Sequence, residues 1–173
     1  RHARDLGADT VLLGPVFQSL THGYDTVDLF EVDRRLGDWE DLARVCERAR
    51  DLGLRIVLDA VFHHVGREHA AFQDVVNRGP ASPHWTWFSG LREGGPNPCG
   101  DPFVYDTWGP HWDLVKLAVL HPDVQAHLFA AVDQWVARLG VAGLRLDAAD
   151  ALDKRFQRRL ARFVENHDEP RVA

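Results

Sequence analysis

The chain has 173 residues, of which 45% are hydrophobic, 27% charged and 10% aromatic, enough apolar content to bury one ordinary soluble core. Acidic residues outnumber basic ones by 26 to 20, for a formal net charge of -6, which argues against nucleic acid as a partner because that partner demands a basic surface. No apolar run is long enough to span a membrane, and Arg1-His2-Ala3-Arg4 lacks the apolar stretch of a signal peptide.

The two cysteines, Cys46 and Cys99, have no metal-ligand spacing, and a lone distant pair gives little reason to infer a disulfide. The compartment stays open, with the cytoplasm the favoured reading. The chain starts at Arg1 and holds no methionine, so it reads as a fragment of something longer.

In chain order, residues 1 to 6 suit the last turns of a helix stopped by Gly7, and Thr10 to Leu13 read as a short buried strand. A loop rich in Gly and Asp follows. Asp38 then caps a segment in which Leu42, Val45, Cys46, Ala49 and Leu52 recur at helical spacing, ending at Gly53. Leu54 to Val61 (LRIVLDAV) predicts a strand covered on both faces. Residues 66 to 120 show no periodicity and are rich in Gly, Pro and aromatics, as expected of a functional insertion or loop subdomain.

Pro122 suits a first helical position, and Val124, Leu128, Val132, Trp135 and Leu139 mark one apolar face until Gly140. A buried strand over Gly143 to Ala148 comes next. Phe156, Leu160, Phe163 and Val164 predict a helix from about Asp153 to Glu165, roughly 20 Å long and antiparallel to the preceding strand. The order strand, helix, strand, long excursion, helix, strand implies βα units with right-handed crossovers around a parallel sheet.

In such architectures ligands sit at the carboxyl ends of strands. The first strand is followed by THGYDTVD with Tyr24 and Asp25, the second carries Asp59 and leads to His63 and His64, and the third carries Arg145 and Asp147. Residues two apart in a strand share a face, so Arg145 and Asp147 should point the same way. A charged pair in a buried strand is costly unless mutually satisfied, and an ion pair closing the sheet end is the plain structural reading. By the same alternation the adjacent His63 and His64 should diverge, which counts against a shared metal. Of Trp85, Trp87, Phe88, Phe103, Tyr105, Trp108 and Trp112, most should form the small core of the excursion, with one or two lining a ligand subsite.

Taken together these segments resemble the α-amylase family of glycoside hydrolases over nearly the whole chain. DAVFHH at Asp59 to His64 resembles the family's third-strand motif, usually Asp-x-Val-x-Asn-His, and GLRLDAAD at Gly143 to Asp150 resembles the fourth-strand motif. FVENHDEPR at Phe163 to Arg171 resembles the seventh-strand motif, and YDTWGPHWDLVKLAVLHPDV the segment leading into the helix before strand four in members acting on α-glucans and maltodextrins. The resemblance implies a partial (β/α)8 TIM barrel that does not close, with about strands two to four, a loop subdomain and a terminal helix. The corresponding units are 1-65, 66-120, 121-152 and 153-173.

The resemblance also implies a retaining glycosidase acting on an α-glucan or maltooligosaccharide. Asp147 would be its nucleophile, Arg145 the charge partner, Tyr24 the platform beneath the sugar, His64 and His167 substrate ligands, and Asp168 the carboxylate that steadies the transition state. Asp25 and Asp59 would be supporting residues. Such an enzyme needs a second, protonated carboxyl about 5 to 5.5 Å from the nucleophile.

Three departures stand out. His63 replaces an asparagine that is a calcium ligand in many members, and Ala118 stands where relatives often carry asparagine; no cofactor is expected, and calcium is doubtful because it prefers oxygen ligands. Asp168 also follows Asp147 by only 21 residues, whereas one βαβ unit takes about 30 or more. The fifth strand with its glutamate general acid has no room, so this chain is expected to be inactive and the Asp168 carboxylate to lie far from Asp147. Two rival readings are a non-catalytic carbohydrate-binding or partner-subunit member of the superfamily, and a metal-dependent hydrolase built on His63, His64 and Asp59.

Overall fold

The computed structural model describes residues 1-95 and 97-166 in full, together with the helical backbone of 167 and 168. Strands are β1 Thr10–Leu13, β2 Phe17–Ser19, β3 Thr26–Val32, β4 Arg55–Ala60, β5 His64–Gly66, β6 Arg92–Glu93, β7 Phe103–Val104, β8 Thr107–Trp108, β9 His111–Lys116 and β10 Gly143–Leu146. Helices are α1 His2–Asp5, α2 Trp39–Asp51, α3 Ala70–Arg78, α4 Pro122–Leu139 and α5 Lys154–Asp168.

The central sheet is parallel, in the order β1-β4-β10. Strands that neighbour in sequence through long crossovers also neighbour in space, as in consecutive units of a (β/α)8 barrel. Register aligns Leu13 with Leu58, Leu144 with Leu58, and Arg145 with Asp59. Among the described residues neither β1 nor β10 pairs along its outer edge, so the barrel is partial and open.

Helix α2 begins where Asp38 accepts from the Asp41 amide at 2.9 Å while the Asp41 carboxylate accepts from the Asp38 amide at 3.2 Å, a reciprocal arrangement that satisfies amides the first turn leaves free. Helix α4 covers the sheet through Leu128, Ala131, Val132 and Trp135, all fully buried. Trp135 stacks on Phe17 at 4.1 Å and faces Phe62 at 5.7 Å, while its indole donates to the Leu29 carbonyl at 2.9 Å. The large Trp135 ring is thus buried with its one polar atom satisfied. Among the described residues no helix is long and apolar enough to cross a membrane.

Two elements correct the sequence reading. The stretch after β1 is not only a loop: β2 and β3 form an antiparallel hairpin whose register shifts break the alternation expected of a strand. The excursion likewise contains α3, capped by the His69 ring, with Ala71, Phe72 and Val75 buried. Its nine residues give too few helical repeats to stand out beside the glycines and prolines that follow.

Phe72 centres the aromatic cluster of this subdomain, with Phe88 and Tyr105 each 5.0 Å away and Phe103 at 6.2 Å. Most of the excursion's aromatics are packed into this core, but Trp108 is 41% exposed. Over the described residues Lys154–Asp168 form one continuous helix, and Phe156 and Phe163 of α5 stack on Phe129 of α4. Val164, near its end, lines a small cavity with Val141, Ala142 and Gly143 at the start of β10. Helix α5 therefore runs back along the strand it follows. The side chains of His167 and Asp168, and the segment 169-173, lie outside the described residues.

Candidate active site

The carboxyl ends of β4 and β10 meet at one arginine. Arg145 Nη1 donates to both oxygens of Asp59 at 2.8 Å and to Asp147 Oδ1 at 2.9 Å. The parallel register makes this possible: Arg145 lies opposite Asp59 across the ladder, and Asp147 follows two residues on, with its amide donating to the Ala60 carbonyl at 3.1 Å. Both flanking carboxylates hold the guanidinium in its charged form, with the Asp59 hydrogen bond the largest influence. Immediately after Asp147 the chain turns through Ala148 at φ 48°, a left-handed conformation rarely taken by a residue with a Cβ and commonest where geometry is imposed by a site.

Tyr24 reaches the same cluster from the β2–β3 hairpin, its phenol donating to Asp59 Oδ2 at 3.2 Å. Burial, and next the Asp59 charge, push the Tyr24 phenol above its ordinary range, so it stays a donor. Asp25 does not face the cluster. Its buried carboxylate accepts from the Thr21 amide at 2.8 Å, the Thr21 hydroxyl at 2.6 Å and the His22 amide at 3.1 Å, and so shapes the loop that carries Tyr24. Burial works against the Asp25 charge, but these bonds outweigh it and hold the carboxyl below its ordinary value.

His64 closes the site from β5. Burial drives its pKa down to about 4, and its Nε2 is buried with no protein partner. The expected divergence of the two adjacent histidines does not occur: their Nδ1 atoms lie 3.2 Å apart. The alternation argument fails because β4 ends at Ala60 and β5 starts at His64, so the pair spans a bend and not a pleat.

These groups share a cavity of about 320 Å³ lined by Tyr24, His64, Asp147, His22, Trp108, His111 and Leu114. Trp108 and His111 stack face to face at 5.4 Å across the β8–β9 turn. His22, Trp108, His111 and Leu114 were not singled out as site residues from the sequence, although the Trp-Gly-Pro-His run on a tight turn was a signal of an aromatic wall.

A close approach fixes this wall. A Cβ built on Gly66 would lie 2.6 Å from the Asp25 carbonyl oxygen, so only glycine lets β5 pack against the Tyr24 loop. Gly66→Ala is expected to cost about 1-3 kcal/mol, and to move His64 relative to Tyr24. Urea denaturation checks the first effect, and backbone amide shifts around Tyr24 check the second.

The family model described as alpha amylase, catalytic domain, matches residues 2-161. The chain belongs to the alpha-amylase family. A cyclomaltodextrinase of Thermoanaerobacter pseudethanolicus is 34% identical over 167 residues, covering 94% of this chain and 28% of the relative. An intracellular maltogenic amylase of Bacillus subtilis is 34% identical over 156 residues, covering 90% and 26% respectively. Among solved structures, the ligand-free cyclic alpha-maltosyl-(1→6)-maltose hydrolase of Arthrobacter globiformis superimposes with a TM-score of 0.88 at 34% identity, over 96% of this chain and 38% of that one. The chain thus spans little more than a quarter of the curated relatives' length.

Within this alpha-amylase unit, the residues where many members hold calcium do not fit the ion. His63 shares a second cavity, of about 420 Å³, with Lys116, Ser89, Ala118 and Asp153. An imidazole and an ammonium there offer a hard cation no oxygen cage, and Asp153 is engaged by Arg155 at 2.8 Å. Among the described residues no three His, Cys, Asp or Glu side chains converge as a metal site.

Proposed function

We propose that this alpha-amylase unit carries the nucleophile side of a retaining glycosidase that hydrolyses or transfers α-glucosidic bonds of α-glucans or maltodextrins. The observation that carries the reading is the shared guanidinium: Arg145 binds Asp147 and Asp59 together, at the wall of a cavity that also presents Tyr24 and His64. Attack on an anomeric carbon requires a carboxylate that is ionised and aimed. Arg145 supplies a compensating charge, and its second partner, Asp59, fixes where that charge sits.

In the first step a carboxylate oxygen of Asp147 bonds to the anomeric carbon while the glycosidic C–O bond breaks. The departing oxygen takes a proton from a carboxylic acid that the described residues do not supply. Water or a sugar hydroxyl then releases the glycosyl ester with retention of configuration. The Tyr24 ring offers an aromatic face to the sugar's C–H face, and the buried Nε2 of His64, which has no protein partner, is the atom this reading assigns to a sugar hydroxyl. His167 and Asp168 are assigned by the family resemblance to substrate binding and transition-state charge. The scheme calls for no cofactor. The substrate class is supported by relatives named cyclomaltodextrinase and maltogenic amylase.

The chain itself is expected to bind maltotriose weakly and to release no reducing sugar from maltodextrin, because general acid catalysis contributes about 10²- to 10⁴-fold. Titration of the ¹⁵N-labelled chain with maltotriose checks binding, with shifts expected at Tyr24, His64 and Trp108. Absence of any shift at these residues overturns the glycan assignment. Turnover that disappears in Asp147→Asn overturns the expected inactivity.

A further inference from the structure

The replacement of the family's asparagine by His63 puts a second imidazole behind the sugar-facing one. Both rings are buried, and their Nδ1 atoms stand 3.2 Å apart. A contact of this kind needs one ring to donate and the other to accept. Each ring borders a different cavity: His63 shares one with Lys116, and His64 shares the other with Asp147.

We propose that His63 is a positioning residue that sets the tautomer of His64: His63 donates Nδ1–H to His64 Nδ1, so that His64 carries its proton on Nε2 and offers it to a sugar hydroxyl. The polarity follows from the charges at the two ends. An ammonium favours a lone pair, not an N–H, on the ring edge that faces it, and Lys116 and His63 share a cavity. On this proposal the His63 proton sits on Nδ1. At the other end, His64 borders the cavity lined by Asp147 and feels the Asp113 carboxylate, so an N–H is the favoured group there. Burial pushes both rings toward the neutral form, His64 to about 4, so each carries a single N–H to be placed. The other groups acting on the pair are Asp147 and Asp150 on His63, and His22, Asp113 and the Tyr24 main chain on His64. The Tyr24 carbonyl is the competing acceptor. If His64 donated Nδ1–H to it, the tautomer would be the opposite one.

This inference rests on the proposed glycan reading for what His64 touches, but its core is testable without catalysis. Long-range ¹H–¹⁵N correlation spectra of the labelled chain at neutral pH distinguish a protonated from a bare ring nitrogen. The expected result is a single His64 tautomer with Nε2 protonated, and His63 protonated at Nδ1. His63→Asn should preserve the His64 tautomer, because its amide can donate in the same place. His63→Leu should convert it to a mixture, and Lys116→Met should shift it in the same direction by less. A His64 ring protonated at Nδ1 in the unaltered chain overturns the proposal, as does a His63→Leu chain with an unchanged single tautomer.

Maltotriose added to the same samples separates the two layers. Movement of the His64 Nε2 resonance in the unaltered and His63→Asn chains, reduced in His63→Leu, supports both. Movement at Tyr24 and Trp108 without any at His64 overturns the positioning role alone. Silence at all three residues overturns the glycan reading, and with it the donation to sugar.

Discussion

Arg67→Met is expected to destabilise the chain by about 3-5 kcal/mol, the cost of leaving one member of a buried ion pair behind. Arg67 grips Asp101 with two bonds, Nη1 to Oδ2 at 2.7 Å and Nη2 to Oδ1 at 2.9 Å, and the carboxylate is almost wholly enclosed. The same guanidinium donates to the Tyr105 hydroxyl and lies over the Phe72 ring at 5.3 Å. Asn97 completes the carboxylate's shell from Nδ2 at 2.8 Å. Removing the arginine strips the subdomain's aromatic core of its tie to the chain leaving β5. Urea unfolding followed by tryptophan fluorescence reads the loss. Arg67→Met combined with Asp101→Leu should regain most of it, because no charge is then stranded. A single variant within 1 kcal/mol of the unaltered chain would show that water reaches Asp101.

The elements that place the site were legible wherever apolar spacing or a cap was strong. Helix α4 spans Pro122–Leu139, beginning at the proline and ending before Gly140, which takes the left-handed cap, and β1 and β10 begin at the residues their apolar runs indicated. The alliance of Arg145 with Asp147 was visible because a strand repeats every two residues. The second half of that alliance was not: Asp59 takes two of the three bonds, a matter of register between strands 86 residues apart. No local pattern encodes that register. The His63–His64 contact escaped for a related reason, since the pleat rule holds only inside a strand and these residues turn a corner.

Candidate site residues on the cavity's far wall were hidden in another way. Trp108 and His111 lie in an aromatic-rich stretch where most rings serve packing, and only their placement on the β8–β9 turn exposes them to the cavity. The fate of the terminal segment was a contest between two signals, a family motif at 163-171 and helical spacing across 156-164. Over the described residues, up to Asp168, local periodicity won: Phe156 and Phe163 both stack on Phe129, and burying that stripe against α4 favours the helix.

Acid should undo this fold earlier than carboxylate protonation would. His64 and His69 are buried and their pKa values are driven down to about 4, burial being the largest cause for both. His69 faces the neighbouring histidines His127 and His84, whose charges oppose its own. In the unfolded chain both rings titrate near 6.5. Between about 6.5 and 4 the unfolded state therefore binds more protons than the folded one, and stability falls as pH falls. At full development each ring is worth roughly 3 kcal/mol. The carboxylates Asp25 and Asp101, held below their ordinary value in the fold, add a second limb of loss only as pH drops past about 4. General charge repulsion does not explain the first limb, because protonation initially brings a chain of formal charge -6 closer to neutrality. Urea midpoints measured between pH 7.5 and 4 should decline steadily from about 6.5 downward. His69→Asn should flatten that decline by about one proton's slope while keeping a side-chain acceptor for the Ala71 amide at the start of α3. Stability that stays level from pH 6.5 to 5 would mean that water or a local opening already relieves both imidazoles.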